Sequence, residues 1–213
     1  MRGIHSIELT FDRAGAWGLE VSLPRSDGST VQISFSFPVR EQTRAPAVGQ
    51  PALRSHSRTL RDVDSLAELS TGREPEPALY ELSLSEAIVQ SRPLVVVFAS
   101  PAVCTNALCG PQVEVLSELA ARYGERANFI HIDLYENPHE IRGDLDRAVW
   151  TPILAEWGLE TDEWIFVVDA RGIVAARFEA FVTREELEAA LLRVLEAGVA
   201  DGPGQPAGVS SQR

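Results

Sequence analysis

Apolar and polar positions alternate strictly in two early stretches. Leu19, Val21 and Leu23 share one side of the first, and Val31, Ile33, Phe35 and Phe37 share one side of the second. Residues 24–29, including Asp27-Gly28, supply turn chemistry between them. Residues 4–37 therefore predict a small antiparallel β module, with a further strand at 7–11 able to pair alongside. Three short strands bury little surface alone, so the module is expected to pack on something else or to be a shortened β-sandwich. Its sheet edge is a candidate docking site.

Residues 41–78, rich in Pro, Ala, Ser, Arg and Glu without a clear period, read as a linker wrapped on the surface. From 79 to 198 the pattern is regular. Ser83 and Glu86 form a capping box before Ala87, Ile88 and Val89, and Pro93 stops that short helix. The continuous apolar run 94–98 predicts a strand buried on both faces. Val115, Leu116, Leu119 and Tyr123 lie on one face of a helix that ends at Gly124. Residues 128–134 read as a strand, and Thr151-Pro152 opens a helix through Trp157 that Gly158 closes. Stretches 164–168 and 173–178 form a hairpin, and Thr183 with Glu186 caps a last helix carrying Leu187, Leu191 and Leu195. The order helix, strand, helix, strand, helix, strand, strand, helix predicts an α/β domain with a central mixed sheet flanked by helices, behind the small β module. Residues 199–213, rich in Gly, Pro, Ala and Ser, read as a disordered tail.

The chain's only two cysteines, Cys104 and Cys109, follow the apolar strand and precede a helical pattern. Residues five apart on a helix point roughly 140° away from each other, so a bridged Cys104 must lie in loop. Pro111 is tolerated only in a first helical turn, which places Cys109 at the helix start. There the unpaired amides and the macrodipole favour a thiolate, the form that attacks disulfides. A disulfide spanning so short a loop constrains the unfolded chain by only about 2 kcal/mol, against about 4.7 for a hundred-residue loop. A staple would do more elsewhere, and redox exchange is the favoured reading over a structural pair.

The formal charge of −12 argues against nucleic acid as partner, which needs a basic footprint. No run of 18 apolar residues occurs and the start lacks the apolar core of a signal peptide, so the chain reads as soluble as written. The four His are scattered, and no metal site is expected. His131, alternating with Ile130 and Ile132, reads as a satisfied inner-face residue.

The element order and the thiols at the end of the first core strand resemble the thioredoxin-like superfamily over residues 79–197. Phe98-Ala99-Ser100-Pro101 followed by Cys-x4-Cys-Gly-Pro at Cys104–Pro111 is similar to a bacterial envelope-type branch with an N-terminal β-rich module. The resemblance implies a thiol–disulfide oxidoreductase that works through Cys104 and Cys109, with a substrate groove around Pro101, Gly110, Pro111, Glu163 and Trp164. It implies protein thiols and disulfides as substrates, an unidentified reducing or oxidising partner, no cofactor, and envelope association through an anchor missing upstream of Met1.

Against the family pattern, Gln112 stands where thioredoxins carry the resolving cysteine, and Val95, Val96 and Val97 supply no proton-shuttling acid. At the usual cis-proline place the chain has Asp162-Glu163-Trp164. A non-proline cis bond costs about 3 kcal/mol, so a trans bond is expected at Glu163. The competing readings are a redox-silent thioredoxin-fold binding module with a structural disulfide and a peroxiredoxin-like peroxidase. The latter wants Thr or Ser where Pro101 stands.

Overall fold

The computed structural model describes residues 9–103 and 108–200. The chain divides into two compact units, Met1–Thr43 and Arg44–Arg213.

In the first unit β1 (Gly15–Pro24) pairs antiparallel with β2 (Thr30–Val39). The register sets Trp17 opposite Phe37, Leu19 opposite Phe35, Val21 opposite Ile33 and Leu23 opposite Val31, so the alternating apolar positions fall on one face of the ribbon. The Asp27 carboxylate closes the turn by accepting from the Ser29 amide at 2.9 Å and hydroxyl at 2.6 Å, and Gly28 takes the positive φ (+83°) that the turn requires. Of the expected third strand, residues 7 and 8 lie outside the described residues and 9–11 form no strand. Phe11 instead packs its ring edge-on against Trp17 and Phe37, at 5.1 and 5.6 Å.

The second unit is built on a four-stranded sheet in the order β4-β3-β5-β6. The central strand β3 (Leu94–Phe98) runs parallel to β4 (Asn128–Ile132) and antiparallel to β5 (Trp164–Val168), and β5 pairs antiparallel with β6 (Val174–Glu179). Among the described residues five helices flank it: α1 (Leu84–Val89), α2 (Cys109–Tyr123), α3 (Pro138–Ile141), α4 (Pro152–Glu156) and α5 (Arg184–Ala200). This is the mixed, helix-flanked sheet that the sequence pattern predicts. The Ser83–Glu86 capping box is present at α1, and Thr183 and Glu186 exchange capping bonds at α5. The strands at 128–134 and 173–178 are trimmed or shifted by a residue or two at their ends.

The double-sided burial of β3, β4 and β5 gives the sheet two cores. Leu94, Val96, Phe98 and Phe166 face one, closed by Ile153, Leu154 and Trp157 of the α4 region. Val95, Val97, Ala99, Ile165 and Val167 face the other, closed by α2 and α5. Residues 44–80, outside the sequence-read helices and strands, carry two 3-10 turns (Leu66–Glu68 and Pro77–Tyr80) and contribute to both layers. Ala45 and Ala52 are buried in the first core, and Leu69, Leu79 and Tyr80 in the second. Their hold is largely backbone hydrogen bonding. Gly49 donates to the Val174 carbonyl at 2.8 Å, Ala52 to that of Gly172 at 2.9 Å, and Ser85 to that of Ser55 at 3.1 Å. Buried Trp157 donates Nε1–H to Ser55 Oγ at 3.1 Å.

Candidate redox site at the carboxyl end of the central strand

Strand β3 ends at Phe98, and the chain turns through Ser100 and Pro101 toward the cysteines before α2 begins at Cys109. The carboxyl ends of strands in α/β sheets are where sites gather. Cys109 is the first residue of the 15-residue α2, fully buried, and disulfide-bonded. Cys104 and the three residues after it lie outside the described residues. Pro111, exposed, sits in the first turn of α2, where its missing N–H leaves no intrahelical bond unmade.

The turn into the site is fastened by a buried carboxylate. Asp133, just past β4, accepts from the Thr71 amide at 2.7 Å, the Thr71 hydroxyl at 2.9 Å, the Tyr135 amide at 3.2 Å and the Ser100 hydroxyl. Thr71 Oγ1 accepts in turn from the Ala102 amide at 3.2 Å. Hydrogen bonds to a charged acceptor are the stronger kind, so 70–72 and 100–102 are held together against the sheet. Next to them His131 Nε2 lies 2.9 Å from the Ala99 carbonyl and Nδ1 lies 2.6 Å from the Tyr80 hydroxyl. A carbonyl only accepts, so Nε2 carries the proton. Burial, opposed by nearby Asp133, depresses the ring's pKa, so neutral His131 accepts a hydrogen bond from the Tyr80 hydroxyl at Nδ1. Burial likewise raises the Tyr80 phenol. His131 is thus a satisfied inner-face residue, as its position in the strand predicts.

The candidate groove residues divide between the two faces of the sheet. Pro101 and Gly110 meet at the mouth: a Cβ on Gly110 would lie 3.5 Å from the Pro101 carbonyl oxygen. Beside them opens a cleft of about 890 Å³ between residues 70–76 and the outer face of α2, where Glu114 and Glu118 stand. Trp164 points the other way, into the first core, stacked on Phe166 at 5.9 Å and donating its Nε1–H to Thr161 at 2.8 Å. Glu163 is buried beside β5, and no peptide bond among the described residues is cis. Gln112 is buried and accepts from the Val182 amide at 2.9 Å.

Sequence reasoning missed Thr71, Tyr80 and Asp133. Asp133 had a signal, a lone acid closing an apolar strand at the site end of the sheet, whereas the partners of Thr71 and Tyr80 are more than fifty residues away. Among the described residues no group of three His, Cys, Asp or Glu is placed to hold a metal ion, and no helix is long and apolar enough to cross a membrane.

No family model matches the chain, and no curated protein matches it significantly. Solved structures do resemble it. A thio-disulfide isomerase from Thermus thermophilus is 28% identical over 48% of this chain and 78% of its own, with a TM-score of 0.36. A thioredoxin family thiol:disulfide interchange protein from Chlorobium tepidum is 14% identical over 50% of this chain and 82% of its own, with a TM-score of 0.41. The exposed lipoprotein thioredoxin of Streptococcus pneumoniae is 10% identical over 84% of this chain and 99% of its own, with a TM-score of 0.38.

Proposed function

We propose that this chain is a thiol–disulfide oxidoreductase that exchanges disulfides with protein thiols through Cys104 and Cys109. The observation that carries the reading is Cys109 itself: disulfide-bonded, at the first position of a long helix, at the carboxyl end of the central strand, in a chain with one other cysteine. A reactive cysteine needs access to its substrate, and Cys109 is fully buried. Cys109 is therefore the inner sulfur, and Cys104 the one that meets the partner.

A substrate thiolate attacks the Cys104 sulfur and the Cys109 sulfur departs as thiolate, leaving a mixed disulfide. The substrate's second thiolate then displaces Cys104. Two electrons pass from the substrate dithiol to the Cys104–Cys109 disulfide, and the reverse sequence oxidises the protein again. No cofactor takes part. Oxidised pairs persist outside the cytoplasm, and the envelope is the proposed place of action, with an unidentified partner resetting the pair.

Equilibration in graded glutathione buffers, followed by alkylation and thiol counting by mass, tests the reading. A potential between about −120 and −270 mV is expected. Cys109→Ser should accumulate mixed disulfides on Cys104, and Cys104→Ser should not. A potential below about −300 mV, or no accumulation in either variant, would assign the pair to structure and the domain to binding.

A further inference from the structure

A buried sulfur has a proton problem. The Cys109 thiolate released when the disulfide opens is walled off from bulk water, since the residue has no exposed surface, and a buried anion without a proton donor is costly. The same region of the fold holds a group that the exchange above leaves unused. Glu163 is 2% exposed and neither of its carboxyl oxygens has a hydrogen-bond partner.

Register places Glu163 on the Cys109 side of the sheet. Its carbonyl accepts from the Ala180 amide at 2.9 Å, continuing the β5–β6 ladder one residue beyond the Trp164–Glu179 pair. Alternation then carries its side chain to the side of Ile165 and Val167, the core that contains Cys109. One step beyond the Phe98–Trp164 pair, it stands level with Ala99, where the chain leaves β3 for the cysteine turn. On the same side of the sheet α2 buries Gln112, three residues after Cys109, whose Oε1 accepts from the Val182 amide and whose Nε2 is also unpartnered.

The other ionisable groups on this side of the sheet are Asp162, which adjoins Glu163 in sequence, and the group beyond Ala99 on and beside β4, where neutral His131 is bonded to Tyr80 and both feel the charge of Asp133. The inward residues of α5 are Leu187, Ala190, Leu191, Val194 and Leu195, and those of α2 beyond Gln112 are Leu116, Leu119 and, at the far end, Tyr123. Burial first, and the charge of Asp162 second, push the Glu163 pKa up to about 7, so it holds or releases a proton near neutrality.

We propose that Glu163 is the proton-exchanging group of the redox site, protonating the Cys109 thiolate when the disulfide opens and accepting a proton when the pair reoxidises. The assignment rests on the redox reading above. In the reductive direction the first substrate thiolate attacks Cys104, and the Cys109 sulfur leaves and takes the Glu163 proton. The resulting carboxylate accepts the proton of the substrate's second thiol, which then displaces Cys104. The Cys104 thiolate takes up from solvent the proton that the first substrate thiol had released. Two substrate thiols become a disulfide, the protein disulfide becomes two thiols, and Glu163 ends as it began.

The test is reduction of the full oxidised chain by dithiothreitol across pH 5–9, with thiols counted by mass after quenched alkylation. Once the reagent's own ionisation is divided out, the unmodified chain should show an inflection near pH 7, close to the raised pKa of Glu163. Glu163→Gln should lose that inflection and slow by about a hundredfold, the low end of general acid–base effects, while Glu163→Asp should keep it. Infrared spectra of the unmodified oxidised chain from pH 5 to 9 give a readout independent of any variant's folding, and a protonated-carboxyl band should persist above pH 6 and fade as the pH rises through about 7. A chain that exchanges normally but shows an unaltered profile in Glu163→Gln, or no such carboxyl band, overturns the role of Glu163 and leaves the redox reading standing. A chain whose disulfide does not exchange at all removes both.

Discussion

Replacing Glu163 by Gln should make the protein more stable, and only above about pH 5. The carboxyl is buried without a partner, and its pKa rises from the ordinary 4.5 to about 7. Below the ordinary value the group is protonated in both folded and unfolded chains, and its ionisation contributes nothing. Between 4.5 and about 7 the folded chain retains a proton that the unfolded chain releases, so stability declines as pH rises. Above that range the loss is complete. At about 1.36 kcal/mol per unit the shift sets a ceiling of about 3 kcal/mol. A Gln amide stays neutral throughout, and every other titrating group is shared by the two proteins, so the difference between them isolates this carboxyl. Urea unfolding of both oxidised proteins, followed by circular dichroism at intervals from pH 4 to 9, reads it out. The Gln variant should gain steadily between pH 5 and 7 and then hold its advantage. Parallel curves, offset by a constant, would refute the premise that an unpartnered carboxyl is ionising inside the fold.

Asp133→Asn keeps the shape but removes the charge that gathers Thr71, Ser100 and Tyr135. A loss of about 2–4 kcal/mol is expected in denaturant titration, since bonds to charged groups contribute about 1.5–3 kcal/mol each and partly survive with an amide. Limited proteolysis should cut near residues 70–72 and 100–103 sooner than in the unmodified protein. Gly158→Ala should cost at least about 2 kcal/mol, seen as a lowered melting temperature: φ there is +62°, and a Cβ would lie 2.6 Å from the Arg44 carbonyl oxygen.

What the sequence made legible follows from the range of the interactions concerned. Ser83 with Glu86 and Thr183 with Glu186 are three residues apart, and their caps form as read. The hairpin at Asp169–Ile173 is equally local, its carboxylate accepting from the Arg171 and Ile173 amides at 2.9 Å. Gly124 does end α2, but for another reason than a left-handed cap. Its φ is −58°, and it is the approach of the Ala120 carbonyl, 2.8 Å from where a Cβ would stand, that favours glycine. Residues 44–80 carry no hydrophobic period because small residues and backbone amides hold them, bonding to loops a hundred residues away. The place of Cys109 at the head of a helix was legible through strand, turn and proline chemistry. At Trp164 position before a strand could not reveal which face the ring takes, and at Glu163 the missing partners are a property of the folded neighbourhood alone.

The attachment of residues 44–58 to the α4 region sets the order in which the chain can be completed during synthesis. Ser55 and Trp157 are 102 residues apart, and Gln50 and Ala52 bond to the loop before β6. On a ribosome, which emits about 5–20 residues per second, this stretch is exposed for several seconds before its receptors emerge. Closing so wide a loop comes late in folding. During that interval Ala45 and Ala52, buried in the finished core, have nothing to pack against, and the stretch is held only once residues 157–174 have emerged.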